Sequence, residues 1–479
     1  MNQMSIKKAA LINAFSKYLT ILLNLLFNAV LARLLLPEEF GIVAVITVFT
    51  TFFSVIADLG VGTGVIQNKG LTDKDINNIF SFTVYVALLI GVIFWCISKP
   101  LSIFYGNGIY ISLGHLLAIS VFFSTINMVP NALLMKEKRF ISMALRTVVS
   151  NILSSVLAVI FAFKGFGAYS LVFQSLMNSV ILFAWNYLNT RPAFRFKVEF
   201  VSILKIKSYS GYQFLFSFIN YFSRNIDNLL IGRTMGESVL GYYDKAYKLM
   251  LYPTNNLTHV ITPVLHPILS EYQNDKKYIY EKYMEVVRIL SLLGILIMPV
   301  CFWCGEEIIC IVFGEQWSAS VYCFQILSLS AWAQMIASSS GSIFQSLGKT
   351  KNLFIQGCIT SGVTIAMILL GILHKNIEIV AVYVCLAYNM NFVIVYYILV
   401  KKTFYYSFVT FMKTFIIDIS IFGVLMIVGY ISNCILEKIY IDNFLESLFI
   451  KSGTIMIAYV ILLKLTGLID YLYKYVKRK

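Results

Sequence analysis

Charged residues are scarce in this 479-residue chain. Asp, Glu, Lys and Arg together make up 13% of it, where an ordinary soluble chain carries about 25%. Hydrophobic residues make up 59%, and the mean hydropathy is +0.80. This composition excludes an ordinary soluble domain and predicts that most of the chain lies in lipid.

The sequence also lacks the alternating ten-residue segments of a membrane β-barrel. It divides instead into apolar runs of about 18 to 25 residues, a length that spans a hydrocarbon core of about 30 Å. In lipid every backbone N–H and C=O needs an internal partner, which a helix provides. We therefore predict an all-α, polytopic membrane protein with about 14 transmembrane helices, at 11–35, 42–66, 79–98, 109–129, 141–163, 167–189, 211–232, 242–266, 286–304, 321–344, 353–373, 377–400, 414–433 and 447–469.

Signals for metal, cofactor or nucleotide chemistry are weak. The eight cysteines lie mostly in apolar runs, and the C-x-x-C of Cys301 and Cys304 has no second pair or nearby histidine. We interpret them as packed thiols and predict no metal and no cofactor. The segment GSIFQSLGKT has six residues between its glycines where a P-loop has four, so ATP hydrolysis is not indicated.

Basic residues outnumber acidic ones by 38 to 23, giving a net charge of +15. They concentrate before the first span, in the loops after the even-numbered spans and in the C-terminal tail. The positive-inside rule therefore predicts that both termini are cytoplasmic. Because the basic residues are spread over many short loops, we predict no nucleic-acid partner.

An internal repeat at an offset of 200 residues indicates two related halves. ARLLLPEEFG at 32–41 lies over GRTMGESVLG at 232–241, arginine over arginine and glycine over glycine, and each segment ends one span and opens the next. A parallel repeat of this kind predicts two pseudo-symmetric six-helix bundles. The predicted parts are an N-terminal bundle at 1–190, a basic cytoplasmic linker at 191–210, a C-terminal bundle at 211–400, and two additional helices with a basic cytoplasmic tail at 401–479.

The first helix of each half carries polar residues at helical steps, which places them on one face. We expect these two polar stripes to line a hydrated cavity between the bundles. The stripes consist of Asn13, Lys17, Thr20, Asn24 and Asn28 in the first span, and of Ser217, Asn220, Arg224, Asp227 and Asn228 in the seventh.

Arg224 and Asp227 allow two interpretations, a structural ion pair at i, i+3 or charges that line the cavity. A mid-membrane Arg or Asp costs about 2.5 to 3.5 kcal/mol, whereas a surface-type ion pair returns about 0.2 to 1 kcal/mol. Pairing at that value does not offset insertion, so we favour the cavity, although both interpretations can hold together.

Other intramembrane charges also have two readings. Lys245 and Lys248 open the eighth span, where they either face the cavity or snorkel to the interface. Asp58 and Asp244 are interpreted as coupling or packing residues. His259 and His266, beside prolines, are read as packing or gate positions rather than ligands.

The chain resembles a known family in several segments. NAVLARLLLPEEFGIVAV, DLGVGTGVIQ and PNALLMKEKRF in the first half, with IGRTMGESVLGYYDKAY and FQSLGKTKN in the second, resemble the bacterial polysaccharide transporter family. These are Wzx-type flippases of the multidrug/oligosaccharidyl-lipid/polysaccharide exporter superfamily.

The resemblance implies a flippase that moves an undecaprenyl-pyrophosphate-linked oligosaccharide, such as an O-antigen, capsule or exopolysaccharide repeat unit, across the bacterial cytoplasmic (inner) membrane by alternating access. A cationic wall would receive the pyrophosphate, and we assign it to Arg224, Lys17, Lys245 and Lys248, with Arg33 and Arg233 at the outer mouth. Implied partners are this lipid-linked substrate, membrane lipids, a polysaccharide polymerase and chain-length machinery. The alternatives are a drug/cation antiporter of the same superfamily, which needs a carboxylate-lined cavity, and a membrane polysaccharide polymerase, an enzyme that usually carries a large extracytoplasmic loop.

Overall fold

The computed structural model describes residues 6–58, 61–68, 70–205, 211–273, 275–439 and 443–469. Side chains are described for all of these except 6–14, 57–58, 211–217, 220 and 257–268. Within those ranges the regular structure is entirely helical, which confirms the predicted all-α class.

The helices follow one another through short connections. Their bounds in the first half of the chain are α1 (Ile6–Leu34), α2 (Pro37–Asp58), α3 (Val61–Gln67), α4 (Asp73–Tyr105), α5 (Ile109–Ile126), α6 (Met128–Lys136), α7 (Phe140–Phe163), α8 (Ala168–Thr190), α9 (Phe200–Leu204), α10 (Gly211–Thr234) and α11 (Glu237–Ser270). In the second half they are α12 (Lys276–Trp303), α13 (Gly305–Phe313), α14 (Val321–Ser328), α15 (Ala331–Ala337), α16 (Ser340–Ser346), α17 (Thr350–Leu373), α18 (Ile377–Tyr396), α19 (Phe408–Lys413), α20 (Ile416–Ile439) and α21 (Phe444–Leu465), with a 3-10 helix at Glu315–Ser320 and a π-helix at Tyr397–Phe404.

Backbone contacts divide the chain into two compact units. Unit 1 comprises Met1–Phe214 and Asn228–Gly241, and unit 2 comprises Leu215–Asp227 and Tyr242–Lys479, within the described residues. Helices α10 and α11 thus contribute to both units. The predicted boundaries of the bundles and linker, at 190 and 210, remain a prediction.

Eleven helices of the described residues are long and apolar enough to cross a membrane, or twelve if the bent pair Glu315–Ser328 and Ala331–Ser346 counts as one span. The count of fourteen is therefore not confirmed. If the bent pair is counted as one span, the predicted spans without a counterpart among these helices are the seventh and the eighth. Helices α10 and α11 do form there, with 24 and 34 residues. Their length suffices for a crossing at about 1.5 Å per residue, but polar residues lower their hydropathy.

The tenth predicted span, 321–344, is not one continuous helix. It is broken into α14, α15 and α16, with a bend of 54°. Serine hydroxyls near the breaks donate to the carbonyl oxygen three residues earlier, and such bonds compete with the helical backbone pattern. These serines are Ser328, Ser330, Ser338, Ser339 and Ser340, at 2.6 to 2.8 Å.

The two repeat segments meet inside unit 1 through a reciprocal pair of close approaches. A Cβ added to Gly41 would lie 1.8 Å from the carbonyl oxygen of Glu237, and one added to Gly241 would lie 1.9 Å from that of Pro37. Glycine is therefore required at both positions. The reciprocity at an offset of 200 residues supports the duplication inferred from the sequence.

In unit 2 the last two helices are attached to α12 and α13 by ion pairs whose carboxylates are buried. Asp418 of α20 is fully buried and its Oδ1 lies 2.6 Å from Arg288 Nη1. Lys451 Nζ of α21 lies 2.6 Å from Glu307 Oε1, and both residues of this pair are buried. These pairs hold α20 against α12 and α21 against α13.

Candidate functional site

Unit 2 contains a polar cavity of about 320 Å³. Helices α10, α11 and α15 to α18 form its walls. Most lining side chains are neutral but carry hydroxyl or amide groups. The lining residues are Ser223, Arg224, Leu251, Thr254, Asn255, Gln334, Ala337, Ser338, Ser340, Gly341, Leu353, Gln356, Thr360, Ser361, Thr364, Tyr388, Asn391 and Val395.

Arg224 is the one charged residue among those lining residues. It sits on α10 beside Ser223, whose hydroxyl accepts a hydrogen bond from Ser361 of α17 at 3.1 Å. The Arg224 side chain is exposed. Its guanidinium therefore gives the cavity a net positive charge and five hydrogen-bond donors.

The α17 wall follows from helical spacing. Gln356, Thr360 and Thr364 are four residues apart, so their side chains share one face. Thr364 accepts a hydrogen bond from Asn391 Nδ2 of α18 at 2.8 Å, while the buried Oδ1 of Asn391 has no hydrogen-bond partner among the described residues. Buried polar atoms are normally paired, so this oxygen is an available acceptor.

Asp227 lies one layer behind the cavity wall. Its side chain is 2% exposed, and Oδ2 accepts a hydrogen bond from the Tyr243 hydroxyl at 2.8 Å. Tyr243 stacks on Tyr247, which shares a hydroxyl–hydroxyl hydrogen bond with the lining residue Tyr388. The structure thus puts Asp227 in support of the wall rather than among its lining residues, and its contact with substrate stays a prediction.

The two lysines of α11 differ in their surroundings. Lys245 is 4% exposed, and its Nζ lies 4.9 Å from the ring centroid of Phe313 and 5.5 Å from that of Trp317. Lys248 is exposed and pairs with the buried Asp244 at 2.7 Å. Neither lysine lines the unit 2 cavity, so their part in a substrate wall remains a prediction.

The polar stripe of α1 packs along α7 inside unit 1. Asn24 Oδ1 accepts a hydrogen bond from Asn151 Nδ2 at 2.6 Å, and Asn28 Nδ2 donates to the Asn24 carbonyl oxygen at 2.9 Å. Lys17 is exposed and lines a separate cavity of unit 1. Asn24 of the predicted stripe therefore has its side-chain partner on α7, within the same unit.

The remaining predicted residues are dispersed. Arg33 and Arg233 are exposed, and the Arg233 guanidinium lies 5.1 Å from the Phe104 ring centroid within unit 1. Asn228 is buried. The side chains of Asn220, Asp58, His259 and His266 lie outside the described residues, so their roles stay predictions.

Sequence reasoning missed most of the cavity wall. The spacing of Gln356, Thr360 and Thr364 was a usable signal, because three polar side chains on one face of an apolar helix need an internal partner. It also missed Arg146 of α7, a buried cation of unit 1.

A profile of the family described as "Polysaccharide biosynthesis protein" matches residues 30–322. The chain belongs to this polysaccharide biosynthesis protein family. The matched region includes Arg224 and α11 and ends before α17 and α18, so the far wall of the cavity lies outside it.

Individual relatives of this family member are distant. The chain is 24% identical over 304 residues to the teichuronic acid biosynthesis protein TuaB of Bacillus subtilis, covering 63% of this chain and 62% of TuaB. It is 23% identical over 341 residues to the lipopolysaccharide biosynthesis protein WzxC of Escherichia coli, covering 69% of this chain and 68% of WzxC. The chain thus spans less than two thirds of TuaB.

Among solved structures, the lipid II flippase MurJ in an inward closed conformation matches with a TM-score of 0.73 at 14% identity. The match covers 95% of this chain and 99% of MurJ. At that identity the likeness shows the fold alone. With its many apolar helices, this family member is a multi-pass membrane protein.

Proposed function

We propose that the protein is a flippase that carries an undecaprenyl-pyrophosphate-linked oligosaccharide across the bacterial cytoplasmic membrane by alternating access. The observation that carries this proposal is the unit 2 cavity, in which a single cation is surrounded by neutral hydroxyl and amide groups. The named relatives act in teichuronic acid and lipopolysaccharide biosynthesis, and the MurJ structure is that of a lipid II flippase.

The cavity chemistry suits the head group of such a substrate. A diphosphate needs a cation and several donors, and the planar guanidinium of Arg224 can bind two phosphate oxygens at once. Sugar hydroxyls need both donors and acceptors, which amide and hydroxyl side chains such as Gln356, Thr360 and Asn391 supply. At about 320 Å³ the cavity is at the small end of ligand pockets, which run from about 300 to 1,000 Å³. It would therefore hold one part of the head group, while the polyprenyl tail stays in lipid.

The proposal includes a location, partners and the absence of catalysis. We place both termini in the cytoplasm, because the basic residues concentrate in alternate connections. A polysaccharide polymerase and chain-length machinery would use the delivered repeat unit. The chain itself would make and break no glycosidic bond.

Transport by the full chain in proteoliposomes tests the function. The vesicles would contain a lipid-linked oligosaccharide with a fluorescent sugar on both leaflets, and a membrane-impermeant quencher added outside would report the exposed fraction. A flippase raises quenching from about half of the label to nearly all of it, as inner-leaflet substrate reaches the outer face. Unchanged quenching, together with uptake of a cationic dye, would favour the antiporter alternative, and glycosyl transfer by the purified chain would favour the polymerase.

A further inference from the structure

Arg146 of α7 is a buried guanidinium in unit 1. The residue is 8% exposed. Its Nη2 donates to Asn131 Oδ1 of α6 at 2.6 Å, and its Nη1 donates to Asn186 Oδ1 of α8. Asn186 Nδ2 in turn donates to Asn127 Oδ1 at 2.7 Å. Two asparagines from neighbouring helices therefore fix the orientation of this guanidinium, and Asn127 orients one of them.

None of these partners neutralises the charge. In the part of the chain that the structure describes, no carboxylate oxygen lies within 4.0 Å of the Arg146 guanidinium. Its buried Nε has no hydrogen-bond partner there either. Burying an ion costs several kcal/mol, and charged residues are rarely buried without a counter-charge. A positive charge that is held in place and left uncompensated is arranged to receive an anion.

Arg146 lines one cavity of unit 1, and two of the asparagines in its network line another. Arg146 lines a cavity of about 280 Å³ together with Lys17, and the other polar lining residues are Ser16, Thr20 and Thr147. Asn127 and Asn131 line a second cavity of about 450 Å³ in the same unit. The smaller cavity thus combines two cations with three hydroxyl groups and no acidic side chain.

We infer that unit 1 carries an oxyanion site of its own, in which Arg146 and Lys17 bind a diphosphate or phosphate group. Arg146 supplies a preorganised donor fork and Lys17 a mobile point charge. The identification of the natural ligand as the substrate's diphosphate rests on the proposed function, whereas the site itself does not. A purely structural role for Arg146, tying α7 to α6 and α8, would need neither the uncompensated charge nor the second cation.

Binding of inorganic pyrophosphate to the full chain tests the site. The protein is purified into nanodiscs of neutral phosphatidylcholine, and affinity is measured by calorimetry in an Arg224→Gln background, which removes the cation of the unit 2 cavity. Loss of a charge-assisted hydrogen bond is worth about 1.5 to 3 kcal/mol. Arg146→Gln should therefore weaken binding by about 10- to 150-fold. Arg139→Gln is the matched control, because Arg139 precedes α7, is only partly buried and pairs with Glu137 at 2.7 Å. It should leave the affinity unchanged.

Lys17→Gln keeps the test decisive if Arg146→Gln does not fold, because Lys17 is exposed. It should weaken pyrophosphate binding several-fold and reduce its salt dependence. Wild-type affinity in folded Arg146→Gln, or in Lys17→Gln, would overturn the inference. Nanodiscs with phosphatidylglycerol identify the source of the phosphate: competition with pyrophosphate points to a lipid headgroup, and no competition points to the substrate.

The two proposals fail separately. Loss of pyrophosphate binding in Arg146→Gln without any flipping by the wild type would retain the site and remove the flippase. If flipping depends on Arg224 while Arg146→Gln leaves the affinity for pyrophosphate unchanged, the proposed flippase function stands and the proposed unit 1 site is refuted.

Discussion

Replacing Arg224 with glutamine is the sharpest test of the unit 2 cavity. Glutamine keeps a polar side chain of moderate size but removes the only charge among the lining residues. Each charge-assisted hydrogen bond lost is worth about 1.5 to 3 kcal/mol. Affinity for the diphosphate-linked head group should therefore fall by about 10- to 150-fold. Arg224→Lys should fall between the wild type and Arg224→Gln, because lysine keeps the charge and loses the planar fork.

The assay is the proteoliposome quenching experiment, run at substrate concentrations below saturation so that affinity limits the rate. Lys282→Gln is the matched control, because Lys282 is also a cation of unit 2 but pairs with Glu285 at the surface at 2.9 Å and does not line the cavity. The control should flip substrate at the wild-type rate. Equal rates for Arg224→Gln and Lys282→Gln, with both proteins folded, would refute the assignment of the cavity as the diphosphate route.

Three further predictions concern stability, read as the thermal unfolding midpoint in detergent. Gly41→Ala should destabilise the chain strongly, because the new Cβ would lie 1.8 Å from a carbonyl oxygen. Gly423→Ala is the control: its Cβ would have no atom within 4 Å, so it should stabilise the chain by about 0.5 to 1 kcal/mol. Equal effects of the two substitutions would contradict the close approach at Gly41. Asp418→Leu should lower the free energy of unfolding by about 3 to 5 kcal/mol, because it leaves Arg288 without its buried partner. Adding Arg288→Met should recover most of that stability. No recovery in the double variant would show that the two residues are not coupled. Tyr243→Phe should lower the free energy of unfolding by about 1.5 to 3 kcal/mol because it removes a hydrogen bond to a buried carboxylate, and a neutral result would remove that hydrogen bond from the wall's support.

The sequence was sufficient for the fold class because lipid imposes one dominant rule. Apolar runs of membrane-spanning length must be helical, and helices form where these runs were found. The duplication could also be predicted from the sequence. Gly41 and Gly241 each lie against a backbone carbonyl that leaves no room for a Cβ, so glycine recurs at both positions and aligns at the offset of 200 residues. The number of crossings was less accessible, because the polar faces of α10 and α11 lower the hydropathy on which a count depends.

The candidate site was predicted in part. Arg224 stood out as a charge in an apolar helix and does line a cavity, but its surroundings come from α17 and α18, far away in the sequence. Asp227 and Lys245 have the same sequence signal, yet they contact Tyr243 and Phe313 instead. A helical pattern specifies which residues share a face, and only the tertiary packing decides which helix that face meets.

The serine-rich breaks between α14, α15 and α16 bear on movement. In an unbroken helix, bending exposes backbone carbonyls that have no other donor, whereas here hydroxyl groups already bond to carbonyls at each break. The segment that carries Gln334 and Ser338 can therefore pivot by exchanging one set of donors for another at little enthalpic cost. We expect this side of the cavity to act as a hinge, which in the proposed flippase would let the cavity accept head groups of different size.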